Sequence, residues 1–499
     1  MSFDFRRLIR ECDWFNVCAA AGLSLGVGLL LAITAKMICQ DGVFYIEIAQ
    51  AMEKDFSAGF KMFWPGYPFL VLMFHRLGMV LGGSDNIYSW ILAGQMVSVF
   101  CRVGAFVGLY YVGKAIVGRA NSFWGLVILV FLPYPAEFGS SIIRDWCHLM
   151  FVVWGVAFVI YGCKGRRWWF FVLAGLSGFA GHTVRPEGAQ VVIYGGVWLI
   201  VAILSGRLGL GKRRAMVYLA LLVVSFGVME GFFMKARGEV VPKKLQKLFS
   251  VECEVEAERL GVSRAGLCGG AWVKGAGELF EQLSVNLMYF YVLPLVVGLW
   301  IRLRRVGRAI FGYDFLIVMV LVLYVVMMFL LYDGYGYITR RHCMPMVVFS
   351  VFYVPVGMRI IARWFSERSG KGGELRLGER RRWFFVLLGV GMVLCFGKFG
   401  RIVPLRWEKQ GYLEVASWLG ENVGEGEFVA AQTLARRLGY YSQRQVMGFE
   451  SETFVEQANY FVLVGDELAE EIAGVSMSEV FSVRANERDG DMVRIYKRN

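Results

Sequence analysis

Charge is what this sequence has least of: Asp, Glu, Lys and Arg make up only 19% of 499 residues, against 57% apolar residues that include 40 Phe. That balance excludes a soluble protein of this size and points to a chain that crosses a membrane several times. The ten cysteines contain no Cys-x-x-Cys pair and no zinc-type spacing, and most fall inside apolar runs, where they read as small apolar fillers. No small-residue cleavage motif follows the first apolar run, Trp14 to Ile38, so that run reads as a retained span and not a signal peptide. The net charge of +13 is not gathered into a continuous basic stripe, which excludes nucleic acid as a partner. No internal repeat and no low-complexity tract is visible.

Present instead are apolar runs near residues 14–38, 87–113, 122–140, 146–162, 168–182, 189–205, 215–234, 285–301, 313–332, 343–362 and 383–400, about eleven spans in all. Residues 67–82 form a shorter run with His75 and Arg76 in its middle, where an arginine costs ~2.5 to 3.5 kcal/mol on insertion scales. Charge parity decides its placement. If it does not cross, the clusters Arg6-Arg7-Arg10, Lys164 to Arg167, Lys212-Arg213-Arg214, Arg302 to Arg305 and the Arg363 to Arg382 loop all share the cytoplasmic side. Residues 67–82 are therefore expected to lie in the outer interface. The same parity places residues 39–86, 235–284, Asp333 to His342 and everything after about 401 outside an inner membrane. Residues 1–400 then form a mainly α, polytopic membrane domain. Residues 401–499 change character, with a helical pattern at Tyr412 to Leu419 and strand-like runs at Phe428 to Ala431, Tyr460 to Val464 and Met492 to Tyr496. They read as a small extracytoplasmic α/β domain. Cys253 and Cys268, fifteen positions apart in the second outer loop, are a candidate disulfide worth roughly 3 kcal/mol.

The stretch Asp41-Gly42-Val43-Phe44-Tyr45-Ile46-Glu47, just past the first span, holds two acids at a membrane surface, and Trp64-Pro65-Gly66-Tyr67-Pro68 follows it. Asp41 can be read as a helix N-cap or as a general base. Asp145 opens a later span and can pair with Arg144 or belong to an acidic site. Together with His148 it sits on one helical face, which leaves a divalent metal open as a cofactor, none being certain from the residues. Arg185 precedes a proline that ends the helix before it, and projects at lipid-head depth, where it can meet ordinary phospholipid phosphates or a substrate phosphate. Trp64, Tyr67, Trp90 and Tyr289 read as interface aromatics, some able to stack on sugars.

In combination, Asp41, Tyr45, Glu47 and Ala49 followed by Pro65-Gly66-Tyr67-Pro68 resemble the first outer loop of glycosyltransferase family 39 and its relatives in the GT-C superfamily. That group includes protein O-mannosyltransferases and the lipid A aminoarabinose transferase. Ser140 to Asp145 looks like the second acidic site of that superfamily, Val184-Arg185-Pro186-Glu187-Gly188 like its Arg-Pro turn, and Arg340-Arg341-His342 like a basic turn before a late span. Where many relatives carry a second acid directly after the first, this sequence has Gly42, so Glu47 or Asp145 must supply it. The resemblance implies a membrane transferase that moves a sugar from a polyprenyl-phosphate donor to a lipid, glycan or protein acceptor. Asp41 would be its base, Asp145 and Glu47 further acids, and Arg185, Arg340 and Arg341 the holders of the leaving phosphate. Tyr45, Trp64, Tyr67 and His75 would line the cavity. A transporter or flippase of a lipid-linked glycan and a non-catalytic assembly protein are the readings it competes with.

Overall fold

The computed structural model describes residues 12–62, 64–205, 211–238, 270–306, 313–369, 377–450, 452–465, 475–486 and 490–499. Cys253 and Cys268 lie outside the described residues. Helix α1 (Asp13–Thr34) opens on Cys12, whose sulfur accepts the Phe15 N–H, and carries Asp13 in its first turn, where the helix dipole favours an acid. Three short helices follow: α2 (Gln40–Lys54), α3 (Phe56–Met62) and α4 (Gly66–Val80). A capping box between Asn86 and Ser89 starts α5 (Ile87–Val117), and Gly118, at φ +84°, stops it in a conformation that only glycine adopts readily. Then come α6 (Arg119–Phe131), α7 (Pro133–Phe138), α8 (Asp145–Gly165), α9 (Trp169–Val184), α10 (Gln190–Ser205) and α11 (Lys212–Arg237). The helical part closes with α12 (Gly270–Asn286), α13 (Val292–Val306), α14 (Tyr313–Tyr335), α15 (Arg340–Ser350), α16 (Tyr353–Ser369) and α17 (Leu377–Ile402).

Six of the described helices are long and apolar enough to cross a membrane, and seven if α15 and α16, bent by 65° at their junction, count as one. The eleven expected spans are not confirmed by that measure. Each of the runs is occupied by helix, but several are short or broken. The 122–140 run divides at Leu132 because Pro133 cannot continue the preceding helix, and α9 ends at Val184 one residue before the Arg185-Pro186 bond. The centre of the bundle is built on Phe106, Tyr110, Trp146, Tyr194, Phe349 and Phe352, all fully buried. Away from it, Ile33, Val224, Leu330 and Val393 project outward from α1, α11, α14 and α17. Apolar faces of that kind are at home in hydrocarbon, where a helix satisfies its own backbone. The chain is an integral membrane protein. Helix α4 buries Tyr67, Val71 and His75 on one side and leaves Phe69, Met73 and Leu77 exposed on the other.

From Gly411 onward the chain forms a mixed sheet of order β2-β1-β3-β5-β4, made of β1 (Val429–Ala431), β2 (Val446–Gly448), β3 (Tyr460–Val464), β4 (Met477–Arg484) and β5 (Met492–Arg498). β1 is parallel to β2 and β3, with Val429 beside Val446 and Tyr460, whereas β5 runs antiparallel to β3 and β4. Helix α18 (Gly411–Asn422) packs Tyr412, Val415 and Leu419 on the sheet, and α19 (Ala435–Ser442) connects β1 to β2. A further short helix, α20 (Glu452–Gln457), leads into β3.

This sheet layer is tied to the segment between α1 and α2. Met37 is buried in its core, the Lys36 N–H donates to Leu405 O at 2.9 Å, and the Ile38 N–H donates to the Tyr441 hydroxyl at 3.1 Å. Tyr440 donates to Ile87 O at 3.3 Å. Burial pushes the Tyr441 pKa up to about 12, so its hydroxyl is neutral at physiological pH. Tyr441→Phe leaves the buried Ile38 N–H without its acceptor, and a stability loss of about 1–3 kcal/mol is expected in thermal unfolding.

Candidate active site

Helix α2 begins where the chain arrives extended at Cys39, which is the cap residue and makes no side-chain cap bond. Asp41 therefore lies within the first turn and is not the N-cap. Its partner comes from 300 residues away: Arg341 Nη1 lies 2.5 Å from Asp41 Oδ2. Arg341 stands in the first turn of α15, which is set by a capping box between Thr339 and His342. The same guanidinium, through Nε, holds Asp145 Oδ2, and the other oxygen of Asp145 receives Arg185 Nη1. Arg185 in turn approaches Glu187, with Nε 3.5 Å from Oε2. The result is a string of alternating charge, Asp41, Arg341, Asp145, Arg185 and Glu187, collected from α2, α15, the start of α8 and the Arg-Pro turn.

The two aspartates differ in setting. The Asp145 side chain is 3% exposed and clamped on both oxygens, whereas that of Asp41 is 48% exposed and paired on one. A half-open carboxylate can meet an incoming molecule; a clamped one organises cations. Burial works against the charge of Arg185, but Glu187 and Asp145 hold its pKa above the ordinary arginine value. Burial raises the pKa of Tyr45 despite the pull of Arg144 and Arg341, and likewise that of Cys39, whose thiol donates to Ile142 O at 3.3 Å. Both groups are thus neutral donors at physiological pH.

Gly42 has a steric reason. A Cβ there meets Ile142 Cβ at 3.0 Å and Cys39 Sγ at 3.3 Å, so α2 seats against the Ile142 backbone and an acid has no room. The second acid at the site is Asp145. Gly42→Asp, which would restore an adjacent acid pair, is expected to destabilise the protein by about 1–3 kcal/mol through overpacking, and to raise no activity. Thermal unfolding checks it.

The remaining expected residues lie elsewhere. Glu47 forms an exposed ion pair with Arg436 of α19, whose guanidinium also sits 4.9 Å from the centre of the Phe44 ring. Arg340 turns away from Arg341 and lies 4.3 Å from the centre of the Tyr134 ring, which Lys398 also approaches at 5.6 Å. Tyr67 is fully buried, meeting Tyr45 edge-on and donating to Gly94 O at 3.1 Å, so it is a packing residue and does not line an open cavity. His75 stacks on Trp90 at 3.6 Å and reaches Ser89 Oγ and Asp85; burial lowers its pKa against the pull of Asp85. Trp64 packs edge-on against His182, with Arg237 5.3 Å from the centre of its ring. Tyr45, alone among the expected cavity residues, adjoins the charged string.

The metal reading for Asp145 and His148 meets two arginines on Asp145, and among the described residues no group of three or more His, Cys, Asp or Glu could hold a metal ion. Two contributors carried no assigned role in the sequence. Glu187 stood in the Arg-Pro stretch, and Arg406, just past the last helix of the bundle, donates to Met37 O at 3.2 Å and Ser141 Oγ at 2.9 Å. Arg406 thereby ties the α2 segment to the loop before Asp145. It has no local sequence signal, because it is one of several basic residues at the end of that helix.

No protein-family model matches the sequence, and no curated protein does. Solved structures do match. ArnT from Cupriavidus metallidurans bound to undecaprenyl phosphate, a lipid A aminoarabinose transferase, is 12% identical, covers 97% of this chain and 97% of its own, and superposes with a TM-score of 0.56. The oligosaccharyltransferase AglB from Archaeoglobus fulgidus, in complex with an inhibitory peptide and a dolichol-phosphate, is 11% identical over 90% of this chain and 69% of its own, with a TM-score of 0.55. The arabinofuranosyltransferase AftD from Mycobacteria is 14% identical over 96% of this chain but only 41% of its own, with a TM-score of 0.50. From its first helix to its terminal sheet, the chain shares the fold of the GT-C glycosyltransferases.

Proposed function

We propose that the protein transfers a sugar from a polyprenyl-phosphate donor to an acceptor hydroxyl at the outer face of an inner membrane. The observation that carries this reading is the charged string itself: a half-open carboxylate, Asp41, joined through Arg341 to a buried acid that also holds Arg185. Its setting in a GT-C fold, and the lipid phosphates bound by ArnT and AglB, support the donor class. Positive-inside parity supports the orientation.

Two jobs must be done in such a transfer. A base takes the proton of the acceptor hydroxyl as it attacks the anomeric carbon, and cations stabilise the phosphate that leaves with the bonding electrons. Asp41 is the base. Arg341 and Arg185 hold the phosphate, with charge-assisted contacts stronger than neutral ones. The incoming phosphate competes with Asp41 for Arg341, so donor binding frees the carboxylate that the acceptor needs. One displacement suffices, and the sugar is inverted.

The test is to incubate membranes containing the protein with a panel of labelled polyprenyl-phosphate sugars and identify the molecule that gains label. Label appearing in a new acceptor supports the reading. Movement of an intact lipid-linked glycan across a vesicle, with no new glycosidic bond, overturns it in favour of a flippase.

A further inference from the structure

Glu230 is an acid inside an otherwise apolar stretch of α11, seven residues before the helix ends at Arg237, or about 10 Å along the axis. An ionisable group at such a place is costly and calls for a named partner. The partner is His182 on α9: its Nε2 lies 3.1 Å from Glu230 Oε1, at ion-pair distance though without hydrogen-bond alignment. The other ring nitrogen, Nδ1, donates to the Pro186 carbonyl at 3.1 Å. Both nitrogens therefore face oxygens. Trp64 closes the ring in from the side, edge-on at 4.8 Å.

The bond to Pro186 has a consequence for the residue before it. Arg185 hangs from a turn whose backbone is held by its own N–H on Gly181 O and by the Gly188 N–H on Arg185 O, both at 2.9 Å. Gly188 lies so close to α9 that a Cβ would stand 2.1 Å from the Gly181 carbonyl carbon and the His182 nitrogen. His182 supplies the one side-chain bond found on the Pro186 carbonyl among the described residues.

We propose that His182, held by Glu230, is a positioning residue that fixes the Arg185-Pro186 turn and thereby aims Arg185 at Asp145 and at the donor phosphate. This rests on the phosphate-holding role given to Arg185 above. His182 touches no reacting atom; it acts through Arg185. The pair also explains an acid and a histidine that the reaction itself does not use.

The test is a double-mutant cycle on the purified full chain, with undecaprenyl phosphate as the probe and its dissociation constant as the readout. Arg185→Ala is expected to weaken binding by about 10- to 100-fold. His182→Ala is expected to weaken it by about 5- to 10-fold in the parent protein and by less than about twofold in the Arg185→Ala background. His182→Gln, whose amide can still donate to Pro186 O, should recover most of the loss. If His182→Ala does not fold, Glu230→Gln keeps the side-chain shape and is read in the same cycle. Equal losses in both backgrounds overturn the positioning role. Undiminished binding by Arg185→Ala instead overturns the phosphate-holding role, a separate failure.

Discussion

Asp41→Asn is expected to lower sugar transfer by about 10²- to 10⁴-fold, the usual contribution of a positioned general base, with little change in thermal stability. The two halves of that expectation come from one geometry. The Asp41 carboxylate is half exposed and pairs with Arg341 on one oxygen only, and pairs of that kind add ~0–1 kcal/mol to stability. Arg341 keeps Asp145 when Asp41 is neutralised, so no buried cation is stranded. Glu47→Gln is the matched control. Glu47 lies on the same helix but pairs with Arg436 of α19, and its loss should leave the rate within a few fold of the parent. Retention of most of the turnover by Asp41→Asn, measured with the labelled donor and a fixed acceptor, would refute the base assignment.

Asp145→Ala should fail differently, by loss of the protein before loss of the chemistry. Its carboxylate is almost wholly buried between Arg341 and Arg185, and removing one member of a buried ion pair typically costs about 3–5 kcal/mol; Arg341 would keep only the half-exposed Asp41 and Arg185 only Glu187 at 3.5 Å. Here two guanidinium groups would be left facing each other across the vacated space. Thermal unfolding of the solubilised full chain should show a large downward shift, with Asp145→Asn intermediate because the amide can still accept from one arginine. A melting temperature lowered by less than about 2 °C would show that Asp145 does not organise the cations. Its role would then have to be sought in contacts to the acceptor.

The residues marked Asp41, Asp145, Arg185 and Arg341 from their places beside apolar runs, and the family resemblance gathered them into one site with Glu47 and Arg340, but neither gave the ion pairs that join four of them into one string. Local pattern reports where a charge sits relative to a span. It does not report which of many charges at the same depth will meet across 300 residues of chain, as Asp41 and Arg341 do. The same limit explains Glu47, whose partner lies on α19, and Gly42, whose missing acid follows from a contact with Ile142 on another segment. Segments with strong apolar or alternating signals, such as α1, α5, β3 and β5, were legible from their residues alone. Short elements were not: β2 has three residues, and α19 has no apolar run and is held by what it docks on. The count of about eleven spans is not confirmed by helix length and hydropathy, because some of the runs hold short or divided helices, as where Pro133 interrupts the 122–140 run.

The bond from Ile38 to Tyr441 has a consequence in time. The two residues are 403 positions apart, so at about 5–20 residues per second on the order of 20–80 s separates their synthesis. For most of that interval α2, with Asp41 on it, exists without the hydroxyl, the Met37 pocket and the Arg406 contacts that hold its approach segment in the folded chain. A growing chain therefore carries Asp41 before the contacts that hold its approach segment exist. The seating of the segment before Asp41 is completed only with the terminal sheet.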